Sequence, residues 1–415
     1  MAQPTLAELG ERSRAAAREL ARASTAQKDD ALAFAAQGLE THVGEIVAEN
    51  SIDVRRAIDA AASDTVVDRL RLDEGRVGAM AAGILAVAGL SDPVGEVVEG
   101  WVRPNGLRVR RVRVPLGIVG IVYENRPNVT SDAAALCLKA GNASLLRGSA
   151  GAIDSNRAIA KAFAEGVQKA GLPRDAALLV EDTAHETVEA FVRLRGVIDL
   201  LVPRGGQSLV SLVLEHATVP FIIDGDGNCH VYVDKSADLE MAERIVVNAK
   251  VQRPSVCNAM ETLLVHHDVA QSFLPRVAQA LKGVELVGDL ASRRIVASVG
   301  EASETDYATE FLSMKMAIAV VKDLDEAMAH IARYSTGHSE AIVTNDYEAA
   351  GRFTREVDAA AVLVNASTRF VDGSELGLGA EIGISTQKLH ARGPMGLREL
   401  TSVRYVIEGD GQVRA

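Results

Sequence analysis

Short apolar runs of strand length alternate with helical stretches between Gly117 and Val233. The strand-like runs are residues 118–122, 144–147, 177–180, 197–202, 221–223 and 231–233. A helix between consecutive strands is typical of βαβ units, because each crossover covers one face of a parallel sheet. The alternation therefore predicts an α/β protein and disfavours an all-β sandwich.

A second alternating region runs from Asp238 to Asn365, with strand-like runs at residues 260–265, 316–321 and 361–364. The chain has 415 residues, more than one small core accommodates. We therefore expect two or three packed domains, of which this region is the second.

The opening segment, from Leu6 to about Leu90, has apolar residues at helical spacing. We expect breaks near Asn50, Asp64 and Asp73, and hence a run of packed helices. Residues 1–24 mix charged residues with alanines and contain no long apolar run. They therefore predict a cytoplasmic protein with neither signal peptide nor membrane span.

A β-hairpin is predicted where the apolar period changes to two, over residues 94–102 and 107–114, with turn residues between them. Residues 400–408 alternate similarly and suit pairing with another strand or chain. The net charge of −12 disfavours nucleic acid as a partner. We therefore interpret the hairpin's arginines as solvated or as contacting another subunit; they are Arg108, Arg110, Arg111 and Arg113.

Three cysteines are too few for a disulfide framework or a zinc cluster, and each is a candidate for reactivity. Cys137 lies in an apolar helical run and is predicted to be a core residue. Cys229 is followed by His230, but neighbouring strand residues point to opposite faces, which argues against a relay or a chelate. His266 and His267 are also consecutive, with no carboxylate or cysteine at ligand spacing, so no metal site is predicted.

Cys257 lies in the segment VQRPSVCN, between a helical pattern and a strand, where Pro254 disfavours regular structure. A nearby guanidinium, Arg253, and a helix N-terminus would both favour the thiolate, the form that attacks a carbonyl carbon. A buried structural cysteine is the alternative, which spacing alone leaves open.

Asn125 follows a buried strand directly, at the edge of an α/β sheet where ligands bind. Its amide is suited to stabilising an oxyanion, but asparagines at such junctions also cap helices, and spacing favours neither reading. No G-x-G-x-x-G motif follows any strand, and the glycine-rich turn at residues 203–208 is only suggestive of a phosphate site.

Four segments resemble the aldehyde dehydrogenase superfamily, and within it the branch that reduces L-glutamyl 5-phosphate in proline biosynthesis. They are VGIVYENRPN at 119–128, NCHVYVD at 228–234, NAKVQRPSVCNAMETLL at 248–264 and HARGPMGLRELTS at 390–402. The resemblance implies a Rossmann-type NADPH-binding domain (1–96 and 117–228), an α/β catalytic domain (229–395) and a small β oligomerisation element (97–116 and 396–415).

By this resemblance Cys257 is the nucleophile, and Asn125 polarises the carbonyl together with the Cys257 backbone N–H. Hydrolytic members carry a glutamate base upstream of the cysteine, whereas the corresponding stretch here reads IDGDG, at residues 223–227. That departure suggests phosphorolysis instead of hydrolysis, although Asp224 or Asp226 is an alternative base. The departing phosphate needs cations, for which the candidates are Arg253 first, then Lys250 and Arg126.

The cofactor residues are also implied by the resemblance. Arg147 stands where the superfamily has a lysine on the adenosine ribose, and an arginine suits a 2′-phosphate, which favours NADPH. Glu310 matches the glutamate that holds the nicotinamide ribose. A helix N-terminus near the pyrophosphate is matched by the turn containing Gly205, Gly206 and Ser208.

The resulting hypothesis is NADPH-dependent reduction of L-glutamyl 5-phosphate to L-glutamate 5-semialdehyde and phosphate through a Cys257 thioester. It implies a homodimer or homotetramer and a transient contact with glutamate 5-kinase. Two alternatives stay open: a hydrolysing or CoA-acylating aldehyde dehydrogenase with the same cysteine, and a non-catalytic scaffold in which Cys257 is an ordinary buried thiol.

Overall fold

The computed structural model describes residues 3–414. It contains two compact units, each assembled from separate stretches of chain. The first comprises the chain up to Ile223, Leu378–Gly383 and the residues from Met395 onward; the second comprises Asp224–Gly377 and Ile384–Pro394. The predicted functional division into 1–96 with 117–228, 229–395 and 97–116 with 396–415 stays a prediction, since compactness does not test what each part binds.

The first unit begins with the predicted run of helices, and both units then alternate helices with strands. Among the described residues, no helix combines the length and apolar content that crossing a membrane requires. In chain order the helices are α1 Leu6–Leu20, α2 Thr25–Thr41, α3 Val43–Asp59, α4 Asp64–Leu70, α5 Glu74–Ala88, α6 Asn128–Lys139, α7 Ile153–Lys169, α8 His185–Phe191, α9 Gln207–His216, α10 Leu239–Val251, α11 His267–Ala280, α12 Leu290–Ile295, α13 Glu304–Tyr307, α14 Leu324–Tyr334 and α15 Tyr347–Glu356.

The helix break predicted near Asn50 is wrong, whereas those at Asp64 and Asp73 are confirmed: Asp64 begins α4 and Asp73 caps α5. Asn50 lies inside α3, fully buried. Its amide donates to the Leu70 carbonyl at 2.8 Å and accepts from the Leu72 N–H at 2.7 Å. The asparagine therefore holds the α4–α5 connection against α3 instead of ending the helix.

The strands form a parallel sheet in each unit, a three-stranded antiparallel sheet in the first unit and a two-stranded antiparallel sheet in the second. In chain order they are β1 Val97–Val102, β2 Arg108–Pro115, β3 Ile118–Tyr123, β4 Ala143–Gly148, β5 Ala177–Leu179, β6 Leu200–Arg204, β7 Cys229–Val233, β8 Met260–His266, β9 Glu285–Gly288, β10 Gly300–Glu301, β11 Lys315–Val321, β12 Ser339–Val343, β13 Ala361–Val364, β14 Ile384–Ser385, β15 Gly393–Pro394 and β16 Thr401–Glu408.

The parallel sheet of the first unit has the order β5-β4-β3-β6. Strands β3 and β4 are buried along their whole length, as a sheet covered on both faces requires. The last predicted strand-like run of this unit, residues 221–223, contributes only an isolated bridge from Phe221 to Leu201. The carboxyl ends of β3, β4 and β6 form one edge, where the candidate residues of this unit lie.

The predicted hairpin is confirmed, and the C-terminal strand pairs with it in the order β1-β2-β16. Two of its arginines form ion pairs with carboxylates: Arg110 meets Glu408 at 2.7 Å, and Arg111 meets Glu99 at 2.8 Å. These pairs partly neutralise the arginine-rich strand.

The second unit is built on a parallel sheet in the order β10-β9-β11-β8-β7-β12-β13. Strands β7, β8 and β12 are fully buried at its centre. Apolar residues of these strands pack against α10 and α11 in one core. The rigid centre of the sheet therefore positions the loop between α10 and β8, which contains Cys257.

Candidate active site

Cys257 lies in a turn between α10 and β8 and is partly exposed, whereas Cys137 and Cys229 are buried. Burial raises the pKa of the Cys137 thiol far above its ordinary value, so this thiol stays protonated. Of the three cysteines, Cys257 is thus the one that is accessible from the surface. Its role as nucleophile stays a prediction at this point.

Gly227 lies directly behind Cys257. A Cβ at position 227 would sit 1.5 Å from the Cys257 carbonyl oxygen and 2.6 Å from its Cα. The Gly227 N–H donates to Oε1 of Glu310 at 2.8 Å. The Cys257 turn therefore packs against the backbone of Gly227, which Glu310 holds in place. The sequence alone did not predict this arrangement.

Cys229 contributes a buried thiol beneath the same turn. Its Sγ donates to the Cys257 carbonyl oxygen at 3.2 Å and lies 3.8 Å from Nδ1 of His338. Burial raises the pKa of the Cys229 thiol and lowers that of His338 to about 4, so both are neutral at pH 7. The pair therefore supports the turn without a charged thiolate.

Lys250 is fully buried and forms an ion pair with Glu261, at 2.5 Å between Nζ and Oε2. Burial lowers the pKa of Lys250 and raises that of Glu261, while their mutual attraction opposes both shifts. Glu261 also accepts from the Leu312 N–H at 3.2 Å. The pair thus ties the end of α10 to the segment beside Glu310, and the Lys250 ammonium does not reach solvent.

Arg369 interacts electrostatically with both Arg253 and Cys257. Arg253 is exposed, and Arg369 is partly buried, with its Nε donating to Gln252 at 2.8 Å. Burial lowers the pKa of Arg369; Asp372 opposes that shift, Arg253 adds to it, and Cys257 also opposes it. Arg369 follows a strand more than a hundred residues after Cys257, and no spacing signal in the sequence pointed to it.

Asn125 occupies the loop after β3 in a left-handed conformation, with φ of 43°. Asparagine tolerates this region better than most residues. Ser149 accepts from the Asn125 N–H at 3.2 Å and donates to its Oδ1 at 2.9 Å. Within residues 3–414, Nδ2 of Asn125 has no recorded hydrogen-bond partner, so Ser149 fixes the amide with its donor end outward. Neighbouring Arg126 is exposed.

The glycine-rich turn leads into α9, as the resemblance implied. A Cβ on Gly205 would come 2.7 Å from both Glu124 and Leu209, so the backbone approaches closely there. The Gly206 N–H donates to Glu124 at 3.0 Å. No hydrogen bond within the described chain is recorded for the N–H groups of Gln207 and Ser208, which open the helix. These are the donors that a helix N-terminus offers to an anion.

Arg147 ends β4 and is 7% exposed. Its Nη2 donates to the carbonyls of Thr183 and Ala184, at 2.8 and 3.0 Å. Its buried Nε has no partner among the described residues. Burial lowers the pKa of Arg147, opposed by attraction to Asp182 and Glu124. The guanidinium is thus anchored near the carboxyl edge of the sheet, and its Nε–H is unpaired within the described residues.

The two candidate bases differ in environment. Asp224 accepts from the Ile384 N–H at 2.7 Å and bridges to Ser385, a structural role. Desolvation, followed by repulsion from Asp224, raises the pKa of Asp226. Burial likewise raises the pKa of Glu310.

The statement that no carboxylate stands near His266 and His267 is wrong, because atoms of these two residues and Asp268 lie within 4.8 Å of one another. The reason is local: His266 caps α11, accepting from the Asp268 N–H at 3.1 Å. His267 bonds the Lys322 carbonyl through Nδ1 at 2.7 Å. Capping accounts for the cluster.

The aldehyde dehydrogenase family model matches residues 3–314. The chain belongs to the aldehyde dehydrogenase family. As a member of this family it is an oxidoreductase that uses a nicotinamide cofactor, which confirms the predicted fold class and reaction type.

Relatives within the aldehyde dehydrogenase family align over nearly the whole chain. A gamma-glutamyl phosphate reductase from Clostridium beijerinckii is 53% identical, and one from Carboxydothermus hydrogenoformans is 55% identical; each alignment covers 98% of both chains. The crystal structure of gamma-glutamyl phosphate reductase from Thermotoga maritima matches with a TM-score of 0.97 at 48% identity, covering 99% of this chain and 100% of that chain.

Proposed function

We propose that this protein reduces L-glutamyl 5-phosphate to L-glutamate 5-semialdehyde and phosphate, with NADPH as reductant, in proline biosynthesis. The observation that carries the proposal is the near-complete alignment, at 53% and 55% identity, with relatives named gamma-glutamyl phosphate reductase. The partly exposed Cys257 supports it, because a covalent route needs an accessible nucleophile.

In the first step the Cys257 thiolate attacks the acyl carbon. A carbon–sulfur bond forms, the bond from carbon to the phosphate oxygen breaks, and phosphate leaves with the electron pair. The amide Nδ2 of Asn125, oriented by Ser149, stabilises the oxyanion that precedes this cleavage. One such donor contributes on the order of 3 kcal/mol to the transition state.

Arg253 and Arg369 are the cations best suited to the departing phosphate, since Arg369 interacts electrostatically with Cys257 and with Arg253. Arg126 is a further exposed candidate. Lys250 has a different role in this proposal, because its ammonium is buried against Glu261. It braces the cysteine turn instead of touching phosphate.

The residues of the first unit fit a dinucleotide. The open N–H groups of Gln207 and Ser208, next to Gly205 and Gly206, suit a pyrophosphate, and the unpartnered Nε of Arg147 suits a 2′-phosphate. We therefore assign NADPH over NADH. Bound in its reduced form, the cofactor would supply the hydride that reduces the thioester carbon, and Glu310 would contact its nicotinamide ribose. The carbon–sulfur bond then breaks, which releases the aldehyde and restores the Cys257 thiolate.

Hydrolysis is the second candidate, and the environments of the two aspartates decide which of them could serve as its base. Asp224 is committed to the Ile384 N–H, which leaves Asp226 as the carboxylate available to activate water. The elevated pKa of Asp226 makes it a stronger base than an ordinary aspartate, so its contribution needs a direct test.

The test is NADP⁺ reduction by L-glutamate 5-semialdehyde, measured with phosphate, with CoA, or with neither. We expect turnover with phosphate alone, abolished in Cys257→Ala and retained in the matched control Cys137→Ala. Turnover with neither acceptor would establish hydrolysis, with Asp226→Asn identifying the base. Turnover that requires CoA would establish acyl transfer, and full activity of Cys257→Ala would refute the covalent route.

We further propose that the chain forms a homodimer or homotetramer. We also propose a transient contact with glutamate 5-kinase, because the acyl phosphate that the kinase makes hydrolyses in water. The kinase contact predicts less escape of the intermediate than free diffusion gives. Trapping with hydroxylamine during a coupled assay measures that escape, and an unchanged yield of hydroxamate on adding this protein would argue against the contact.

A further inference from the structure

Helix α6 is buried at every position except Asn128 and Asp132. These two residues are four positions apart and therefore share one face of the helix. These two partly exposed residues lie toward the N-terminal end of α6, which follows the Asn125 loop. A polar pair at this place in an otherwise buried helix points to a ligand-facing surface.

The carboxylate of Asp132 has hydrogen bonds but no ion pair. Nδ2 of Asn128 donates to it at 2.8 Å, and the Ser131 hydroxyl lies at 3.4 Å. Within residues 3–414, no lysine, arginine or histidine nitrogen is recorded within 4.0 Å of it. Desolvation raises the pKa of Asp132 to about 6, with the two hydrogen bonds and the more distant Arg204 opposing the shift. The group is therefore an anion at neutral pH that lacks a cationic partner.

A half-buried carboxylate without a counter-ion favours binding a cation, since the pair recovers energy that desolvation has cost. The substrate of the proposed reaction has one cation, its α-ammonium. That nitrogen is separated from the reacting carbonyl carbon by three carbon–carbon bonds and one carbon–nitrogen bond. In the extended conformation the two atoms are roughly 5 Å apart. Four residues of helix rise by about 6 Å, so Asp132 is displaced along α6 from Asn128, which follows the Asn125 loop, by a length comparable to that of the substrate.

We propose that Asp132, oriented by Asn128, binds the α-ammonium group of the glutamyl substrate. This inference rests on the function proposed above and adds a residue that selects amino-acid substrates. An anionic subsite would repel the substrate's carboxylate and phosphate, so Asp132 also sets the direction in which the substrate binds.

The test compares two aldehydes that differ only in the amino group: L-glutamate 5-semialdehyde and 5-oxopentanoate. We expect the wild type to prefer the amino substrate in kcat/KM, mainly through KM. Asp132→Asn should lose roughly 10- to 100-fold on that substrate, as expected for a hydrogen bond to a charged group, and little on 5-oxopentanoate. Asp132→Glu should retain part of the preference.

Two further variants keep the test decisive. Asn128→Ala should cause a smaller loss restricted to the amino substrate, and it serves if Asp132→Asn does not fold. Asp175→Asn is the control, because that carboxylate is half-buried but already paired with Arg12 at 2.7 Å. Equal losses on both aldehydes, or an unchanged preference, would overturn the role of Asp132. A wild type that shows no phosphate-dependent turnover of either aldehyde would instead overturn the proposed function.

Discussion

At the scale of single residues, the cysteine turn depends on a position that has no side chain. The backbone of Gly227 occupies the space behind the Cys257 carbonyl, and its N–H is held by Glu310. The contact explains how a turn without regular structure keeps one conformation. A nucleophile in such a turn is positioned by the backbone contacts of the turn, here those with Gly227.

Gly227→Ala is expected to displace the Cys257 backbone, because the added Cβ would come within 1.5 Å of its carbonyl oxygen. We predict a loss of kcat of roughly 100-fold or more, since small misplacements of reacting groups have effects of this size. Steady-state kinetics measure it. Gly300→Ala is the control, as its nearest neighbour would be 3.5 Å away; equal losses in both variants would contradict the argument.

Ser149 is a positioning residue for Asn125, because it fixes which end of the amide points outward. We predict that Asn125→Ala lowers kcat by roughly 100- to 1,000-fold and Ser149→Ala by about 10-fold. Because Ser149 acts through Asn125, the double variant should be no slower than Asn125→Ala alone. Fully additive losses would show that Ser149 acts independently.

The sequence singled out Cys257 and Asn125 as candidates because each lies in a local segment with its own signature. Gly227, Arg369 and Ser149 carried no such signal. Their contribution comes from contacts with distant parts of the chain, and a glycine that supports a loop looks like any other glycine until the loop is in place.

At the scale of elements, a buried histidine stands directly before β12, next to the Cys229 thiol that supports the cysteine turn. His338 is fully buried, and burial lowers its pKa to about 4 from an ordinary value of 6.5. The folded protein thus holds a neutral imidazole that the unfolded chain protonates more readily. The contribution of neutral His338 to the free energy of unfolding is fully present above pH 6.5. It is lost as the pH falls toward 4, by about 1.4 kcal/mol per pH unit in that window.

His338→Asn should therefore lose less stability than the wild type between pH 7 and pH 5. Urea unfolding at both pH values measures the difference, for which we expect about 1 to 2 kcal/mol. His267→Asn is the matched control, since the His267 side chain is 55% exposed. An identical pH dependence in wild type and His338→Asn would contradict the argument.

The alternation of strands and helices predicted most elements of both sheets, because buried parallel strands are apolar runs of recognisable length. The short strands β9, β10 and β12 escaped notice, and β12 begins with the buried polar residues Ser339 and Glu340 directly after buried His338. Polar residues that are paired inside a core do not look apolar in sequence. The same effect produced the wrong break at Asn50, a polar residue buried by its hydrogen bonds.

At the scale of the whole molecule, the antiparallel sheet leaves large apolar side chains exposed. Val102 is 69% exposed, and Tyr405 and Ile407 are each 60% exposed. The proposed oligomer would cover them. We predict that Val102→Glu with Ile407→Glu lowers the mass measured by light scattering, whereas Val413→Glu, outside the strands, does not. An unchanged mass in the double variant would place the subunit contact elsewhere.

The pairing of β2 with β16 also has a consequence for synthesis. Residues 298 positions apart, Arg110 and Glu408, meet across these strands. On the ribosome, β2 leaves the exit tunnel long before its partner is translated, while the strands of the second unit's parallel sheet are all made in the interval. The nascent chain thus completes its first unit last. A chain whose synthesis ends before residue 401 would lack β16, and the β2 edge of its hairpin would stay unpaired.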